Sequence, residues 1–423
     1  MNPRSLRLLE LDKIIDMLEE KCATSMGAAR IQGLYPRTDF DQVLSLQEQT
    51  REAVDMLSKE EPSLSGLVDI GQEVNRAGKG GMLDATQLYR VAIFLSGSMT
   101  LKRFMKNKAP RESWLFLAAQ GLVELPELIT QLNRAVDREG NVLDTASSDL
   151  RSIRRKLETA HSRLRDRLDS MIKSATIQKY LQENLITQRN GRYCLPVKSE
   201  YRAQVPGVVH DQSASGATLF IEPLVAVDTS NEITGLERQE QAEIEKILRD
   251  LSGQVGNYSE DLSVALESAR DLDIVLARGK LALAMEGTGP EIRSDNQLKL
   301  VQARHPLLPV RDVVPITVTL GGEYTILVVT GPNTGGKTVT LKTVGLFCLM
   351  AQCGLWLPVS SGSSVPVYSN IFADIGDEQS IEQSLSTFSS HMTNIIKIMA
   401  EADRHSLVLL DELGAGTDPA EGA

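Results

Sequence analysis

Two short stretches near the C-terminal end of the chain hold the residue types that phosphate chemistry needs. The first is Gly331-Pro332-Asn333-Thr334-Gly335-Gly336-Lys337-Thr338, which fits the pattern G-x-x-x-x-G-K-[ST]. Its glycines allow backbone N–H groups to turn inward around phosphates, and a helix starting at its end adds the partial positive charge of a helix N-terminus. Lys337 would neutralise the outer phosphates and Thr338 would offer a hydroxyl to Mg2+, so the cofactor pair implied is ATP with Mg2+. The second stretch is Leu407-Val-Leu-Leu-Asp411-Glu412, an apolar run that ends in two carboxylates. A parallel strand delivers such acids to its C-terminal edge, where Asp411 would serve the metal and Glu412 would orient the attacking water.

The context required by the first motif is strand, loop and helix. Thr325-Ile-Leu-Val-Val-Thr330 reads as a buried strand before the loop, and an apolar helical stretch follows it to about Gln352. Between the two motifs, Leu385-Ser386-Thr387-Phe388 leads into an amphipathic helix. Ser386 or Thr387 would be an ordinary N-cap there, or an anion contact, and the two roles are compatible.

The elements that position this chemistry are mostly helical. From about Leu6 to Asn107 the apolar spacing is helical, with turn signals around Gly33 and Pro36. Asp39, Glu48 and Glu52 read there as exposed helix positions with structural roles. Further along, Ile244, Leu251, Tyr258, Ala265 and Leu272 form one heptad row, and Leu248, Val255, Leu262, Ala269 and Leu276 form another. Two interleaved rows predict a coiled-coil seam. The candidate partner is Leu150, Ile153, Leu157, Ala160, Leu164 and Met171, running antiparallel. Between the arms, Arg192–Lys198 and Gly216–Glu222 read as short strands around a turn-rich loop at Asp211–Gly216. A small β module would thus sit at the tip of a helical hairpin whose arms reach about 45 to 60 Å.

Charge and cysteine usage narrow the function. A net charge of −11 argues against a surface covered by nucleic acid, so any such contact is local. Arg151 to Lys173 is a basic stretch, whose ordinary reading is a solvated helix face. Arg189, Arg192, Lys198 and Arg202 in the tip module are the other candidates for contact with nucleic acid. Cys22, Cys194, Cys348 and Cys353 show no spacing suited to zinc or a disulfide framework, which suggests a reduced, cytoplasmic protein. No apolar run reaches the roughly 18 residues of a membrane span, so no membrane partner is expected.

With these residues in view, the chain resembles the MutS family. The phosphate loop, Leu385-Ser-Thr-Phe388, Leu410-Asp-Glu-Leu-Gly-Ala-Gly-Thr417 and Ala303-Arg-His-Pro306 look like its ATPase domain. Tyr193-Cys-Leu-Pro-Val-Lys198, His210-Asp-Gln-Ser-Ala-Ser-Gly-Ala-Thr218 and Phe220-Ile-Glu-Pro223 resemble the clamp of the type-two bacterial branch, and the likeness covers essentially the whole chain. The resemblance implies a multidomain α plus α/β fold. It has a helical core or lever domain over 1–149, coiled-coil clamp arms over 150–289 with a β tip at about 186–223, and a P-loop ABC-like ATPase domain over 290–423.

It also implies a homodimeric ATP hydrolase in which Ser386 reaches the partner's nucleotide. Such a dimer embraces DNA or a ribosome with its rRNA, suppressing homologous recombination or splitting collided ribosomes, and an endonuclease domain usually follows. Three departures stand out. No mismatch-reading N-terminal domain is present, the residue that would stack on adenine falls near Val313, and the chain stops shortly after Glu412. The last suggests an ATPase domain that is C-terminally incomplete, expected to bind ATP weakly, hydrolyse little and stay monomeric or aggregate. Two alternatives stay open: a coiled-coil chromosome-maintenance ATPase, and an inert nucleic-acid clamp. In the former the coiled coil falls between the two ATPase motifs, whereas here both follow it.

Overall fold

The computed structural model describes residues 1–309, 311–331, 336–375 and 384–411, with side chains of the last stretch from His391 onward. The chain opens with helices α1 (Pro3–Leu8), α2 (Leu11–Glu19), α3 (Ser25–Ile31), α4 (Phe40–Leu57), α5 (Gly71–Gly78), α6 (Ala85–Lys108), α7 (Trp114–Gln120) and α8 (Pro126–Ala135). Next come α9 (Ser148–Lys173), α10 (Ala175–Gln178) and strands β1 (Thr187–Arg189), β2 (Arg192–Lys198), β3 (Gly207–Gln212) and β4 (Thr218–Pro223). Helices α11 (Leu224–Asn257) and α12 (Ser259–Ala284) lead to β5 (Glu291–Arg293), β6 (Leu298–Ala303) and β7 (Ile316–Leu320). The last elements are α13 (Lys337–Gln352), β8 (Ser364–Pro366), β9 (Asn370–Asp374), α14 (Ser384–Glu401) and β10 (Ser406–Leu410). This is the mixed α plus α/β composition that the apolar patterning implied.

Two compact units share these elements. One gathers Met1–Gly71, Ile93–Glu124 and Asp261–Ala423, and the other Gln72–Ala92 and Leu125–Glu260.

In the first unit, the apolar face of α2 (Leu11, Ile14, Leu18) joins Leu346 to Ala351 of α13, Ile371 of β9 and Leu407 and Leu409 of β10 in one core. Helix α13 approaches closely because position 345 is glycine. A Cβ there would stand 2.5 Å from Leu409 and 2.7 Å from Leu9. One sheet has the order β5-β8-β6-β7, and a second holds β9 and β10 in parallel. Glu52 proves to be more than an exposed helix position: its carboxylate accepts the N–H groups of Trp114 and Leu115, both at 3.0 Å, and so caps α7.

One expected strand is not there. Residues 325–330 carry no strand pairing among the described residues, and Ile326 and Val328 are 78% and 76% exposed. The reason is physical: apolar β-branched residues favour an extended chain, but a strand is held by a ladder. No described strand lies alongside this run.

In the second unit, α9 and α11 pack antiparallel. Ser147 Oγ donates to Glu243 at 2.9 Å, Arg154 to Glu240 at 2.6 Å, Arg163 to Glu232 at 3.2 Å and Arg167 to Thr229 at 3.1 Å. Leu157, Ala160, Leu164 and Leu168 share a core with Ala226, Ile233 and Leu236. The pairing therefore uses the first half of α11, not the heptad rows that begin at Ile244. Those rows cross a helix break at Tyr258, whose ψ of 16° ends α11. Within this unit the later half of α11 serves another neighbour: Ser252 Oγ accepts the Leu83 N–H at 2.8 Å, and α8 packs on the same helix. The small sheet has the order β1-β2-β4-β3, all antiparallel. β2 and β4 match the two expected strands, whereas β1 and β3 are additional.

Candidate functional site

The site lies within the first unit, where α13 starts. Gly336 adopts φ +76°, a left-handed turn that favours glycine, and it stands as the N-cap with no side-chain bond to the helix. The first N–H groups of α13 are thus left for an anion. Lys337 opens the helix and its Nζ donates to Gly331 O at 2.9 Å. Thr338 Oγ1 donates to Asp411 Oδ2 at 2.6 Å, across 73 positions of sequence. The hydroxyl after the lysine and the carboxylate ending the apolar strand are therefore in direct contact. Pro332, Asn333, Thr334, Gly335 and Glu412 lie outside the described residues, as does the side chain of Ser386 on α14.

Strand β10 delivers Asp411 by alternation, with Leu407 and Leu409 buried and Val408 39% exposed. The Asp411 N–H donates to Asp374 O at 3.0 Å, extending the β9–β10 ladder by one bond. The N-terminal helices brace both sides of this edge. Ser5 Oγ accepts the Ala373 N–H at 3.1 Å, and Lys342 of α13 donates to Glu10 at 3.3 Å. The hydrogen bond from Lys13, joined by a weaker one from Lys342, holds the Glu10 carboxyl below the usual carboxylate range, although burial works the other way. His305, in the Ala303–Pro306 stretch, is buried, and loss of solvation lowers its pKa so that the ring stays neutral.

Hydroxyl and carboxylate oxygens are the hard donors that Mg2+ takes, so Thr338 and Asp411 fit that ion. Among the described residues there is no cluster of three or more His, Cys, Asp or Glu that could hold a metal alone. The four cysteines are free thiols, and burial pushes Cys194 up to about 11 and Cys353 up to about 12.

Residues 327–423 match MutS domain V. Along its whole length the chain is 48% identical to an endonuclease MutS2 of Clostridioides difficile and 46% identical to one of Geobacillus thermodenitrificans. Over 99% of the chain it is 45% identical to another from Halalkalibacterium halodurans. The chain belongs to the MutS2 family. It spans 54% of the length of each of these relatives. Likeness over the whole chain, helical arms included, sets aside the chromosome-maintenance alternative.

The four tip residues expected to contact nucleic acid are all half-buried and engaged within their module. Arg189 stacks over Phe220 at 4.1 Å and lies 3.3 Å from Asp211. Arg192 lies 3.5 Å from the buried Glu222 and donates to Asn231 at 2.9 Å. Lys198 donates to Lys179 O and Arg202 to Gly207 O. On α9 the basic residues split by face: Arg154, Arg163 and Arg167 bind α11, while Arg151, Arg155, Lys156 and Arg165 are exposed with no ion pair among the described residues. Sequence reasoning missed Asp374, His391 and Asn394, which meet at the end of β9. His391 stood in view beside Leu385–Phe388, but nothing local tied it to a carboxylate.

Proposed function

We propose that this protein is an ATP-dependent clamp of the MutS type that binds ATP with Mg2+ at Gly331–Thr338 and grips nucleic acid with its helical arms. The observation that carries the reading is the 2.6 Å bond from Thr338 Oγ1 to Asp411 Oδ2, directly behind Lys337 at a helix N-terminus. Mg2+, when bound, would offset phosphate charge at these two oxygens. Lys337, which now rests on Gly331 O, would turn to the outer phosphates, and Glu412 would orient the water. In the homodimer implied by the resemblance, Ser386 would close on the partner's nucleotide. Suppression of recombination, action on collided ribosomes and an endonuclease step belong to the same reading of the family.

The test is direct. Lys337→Ala lowers ATP affinity by about tenfold or more, since a charged hydrogen bond contributes about 1.5 to 3 kcal/mol. Titration with a fluorescent ATP analogue in Mg2+ measures it, and an unchanged affinity overturns the assignment.

For the nucleic acid, DNA or rRNA, the reading uses the arm and tip cations together. The free charges of α9 give the cleaner experiment, because Arg189, Arg192, Lys198 and Arg202 also hold the tip together. Replacing Arg155, Lys156 and Arg165 by Ala weakens duplex binding and flattens its salt dependence by about 0.9 per lost phosphate contact. Anisotropy titrations at several salt concentrations read both quantities. If both stay at the wild-type values, the arm is not the contact.

A further inference from the structure

Asp374 ends β9, and its side chain is only 3% exposed. Both of its carboxylate oxygens are taken from one helix. Asn394 Nδ2 donates to Oδ1 at 2.8 Å, and His391 Nδ1 lies 2.8 Å from Oδ2. His391 and Asn394 stand three positions apart on α14, hence neighbours on one face. Arg4 of α1 adds a cation 4.0 Å from Oδ1.

The backbone of the same residue faces the nucleotide edge. Asp374 O accepts the Asp411 N–H at 3.0 Å, and Asp411 Oδ2 accepts the Thr338 hydroxyl at 2.6 Å. An unbroken line of hydrogen bonds thus runs from the start of α13, through the ends of β10 and β9, to α14. Apolar packing is sparse along the described part of α14. Among its described residues Ile398 is the buried one, while Met392, Ile396 and Met399 are 40%, 61% and 77% exposed. Fixed apolar packing would pin the helix whatever the nucleotide state, whereas two bonds to a single carboxylate let its position follow the strand end.

We propose that Asp374 is a positioning residue that makes the placement of α14 depend on the ligand state at Lys337 and Thr338. When phosphates and a cation engage Thr338 and Asp411, the end of β10 shifts. Asp374 moves with it through the shared backbone bond and carries His391 and Asn394 along. The start of α14 holds Leu385–Phe388, so the helix delivers the segment that the family resemblance assigns to the dimer seam. The inference rests on the nucleotide reading above.

Hydrogen exchange with and without a non-hydrolysable ATP analogue and Mg2+ separates the two claims. In the wild-type protein the ligand slows exchange at Lys337–Lys342 and also at Asn394–Glu401. In Asp374→Ala the protection at Lys337–Lys342 persists while that of α14 falls by at least about fivefold. His391→Ala with Asn394→Ala leaves β9 intact, guards against misfolding of the first variant and shows the same separation. Wild-type protection of α14 in both variants overturns the proposal. So does an α14 that ignores the ligand in the wild-type protein while Lys337–Lys342 responds. No protection at Lys337–Lys342 sinks the nucleotide reading, and the proposal with it.

Discussion

On the ATPase reading proposed above, Glu412→Gln in the full-length protein lowers ATP turnover by at least about a hundredfold, close to 3 kcal/mol of transition-state stabilisation, while ATP binding stays within a few-fold. Strand β10 sets the roles of the two acids. Its alternation buries Leu407 and Leu409, and the next residue in that row, Asp411, bonds to Thr338. In the proposed reading the two carboxylates take different tasks. On that reading Asp411, bonded to the Thr338 hydroxyl, serves the cation, and Glu412 is assigned to the water. Gln keeps the size and one acceptor but loses the negative charge that draws a proton from the attacking water. Because little ground-state contact is lost, the deficit falls on kcat and leaves KM near its wild-type value. Steady-state hydrolysis with a parallel binding titration reads both, and a turnover within tenfold of wild type refutes the role.

The parts of this protein that were legible in sequence are those where chemistry dictates residue type locally. The motif Gly331–Thr338 stands out because a phosphate loop needs glycines and a lysine at fixed spacing, and the structure joins its last residue, Thr338, to Asp411. Strands β2 and β4 were legible for a similar reason, as runs of β-branched and aromatic residues between turn signals. β3 was not: Gly207-Val-Val-His-Asp-Gln212 has no consistent alternation, and it leaves Val208 44% exposed on an edge.

The seam between α9 and α11 illustrates a different limit. Its α11 side includes Thr229 and Ser230, both buried, which do not count as apolar in a heptad search. The stronger apolar rows beyond Ile244 therefore drew the assignment. Heptad spacing shows which face of a helix is buried, but the partner is set by neighbours distant in sequence. Residues 325–330 make the complementary point, since strand propensity without a ladder leaves the run unpaired and exposed among the described residues.

Asp273 is the clearest case of a residue that sequence could not reveal, and replacing it by Ala destabilises the first unit by about 3 to 5 kcal/mol. It lies on α12 with no exposed surface and accepts three bonds from a segment some 250 positions away. Ala23 N–H donates to Oδ1 at 2.9 Å, and Thr24 N–H and Oγ1 donate to Oδ2 at 2.9 and 2.6 Å. Thr24 Oγ1 in turn accepts the Gly27 N–H at 3.0 Å as the N-cap of α3. A carboxylate thus sits at a helix N-terminus, where its charge is favoured. Ala leaves those donors unmade around a small void, and each unmade buried bond costs about 1 to 3 kcal/mol. Asn keeps the shape and one acceptor, so Asp273→Asn costs less than half as much. Gly27 supplies the decisive control, because a Cβ there would fall 2.4 Å from Asp273 Oδ2. Gly27→Ala is therefore destabilising beside the native carboxylate but nearly neutral once Asp273→Ala has removed it, so the double substitution costs at least about 1 kcal/mol less than the two single ones added. Denaturant unfolding of the four proteins measures this cycle. Additive penalties, or a loss below about 1 kcal/mol for Asp273→Ala, refute the account of this carboxylate as the anchor of α3.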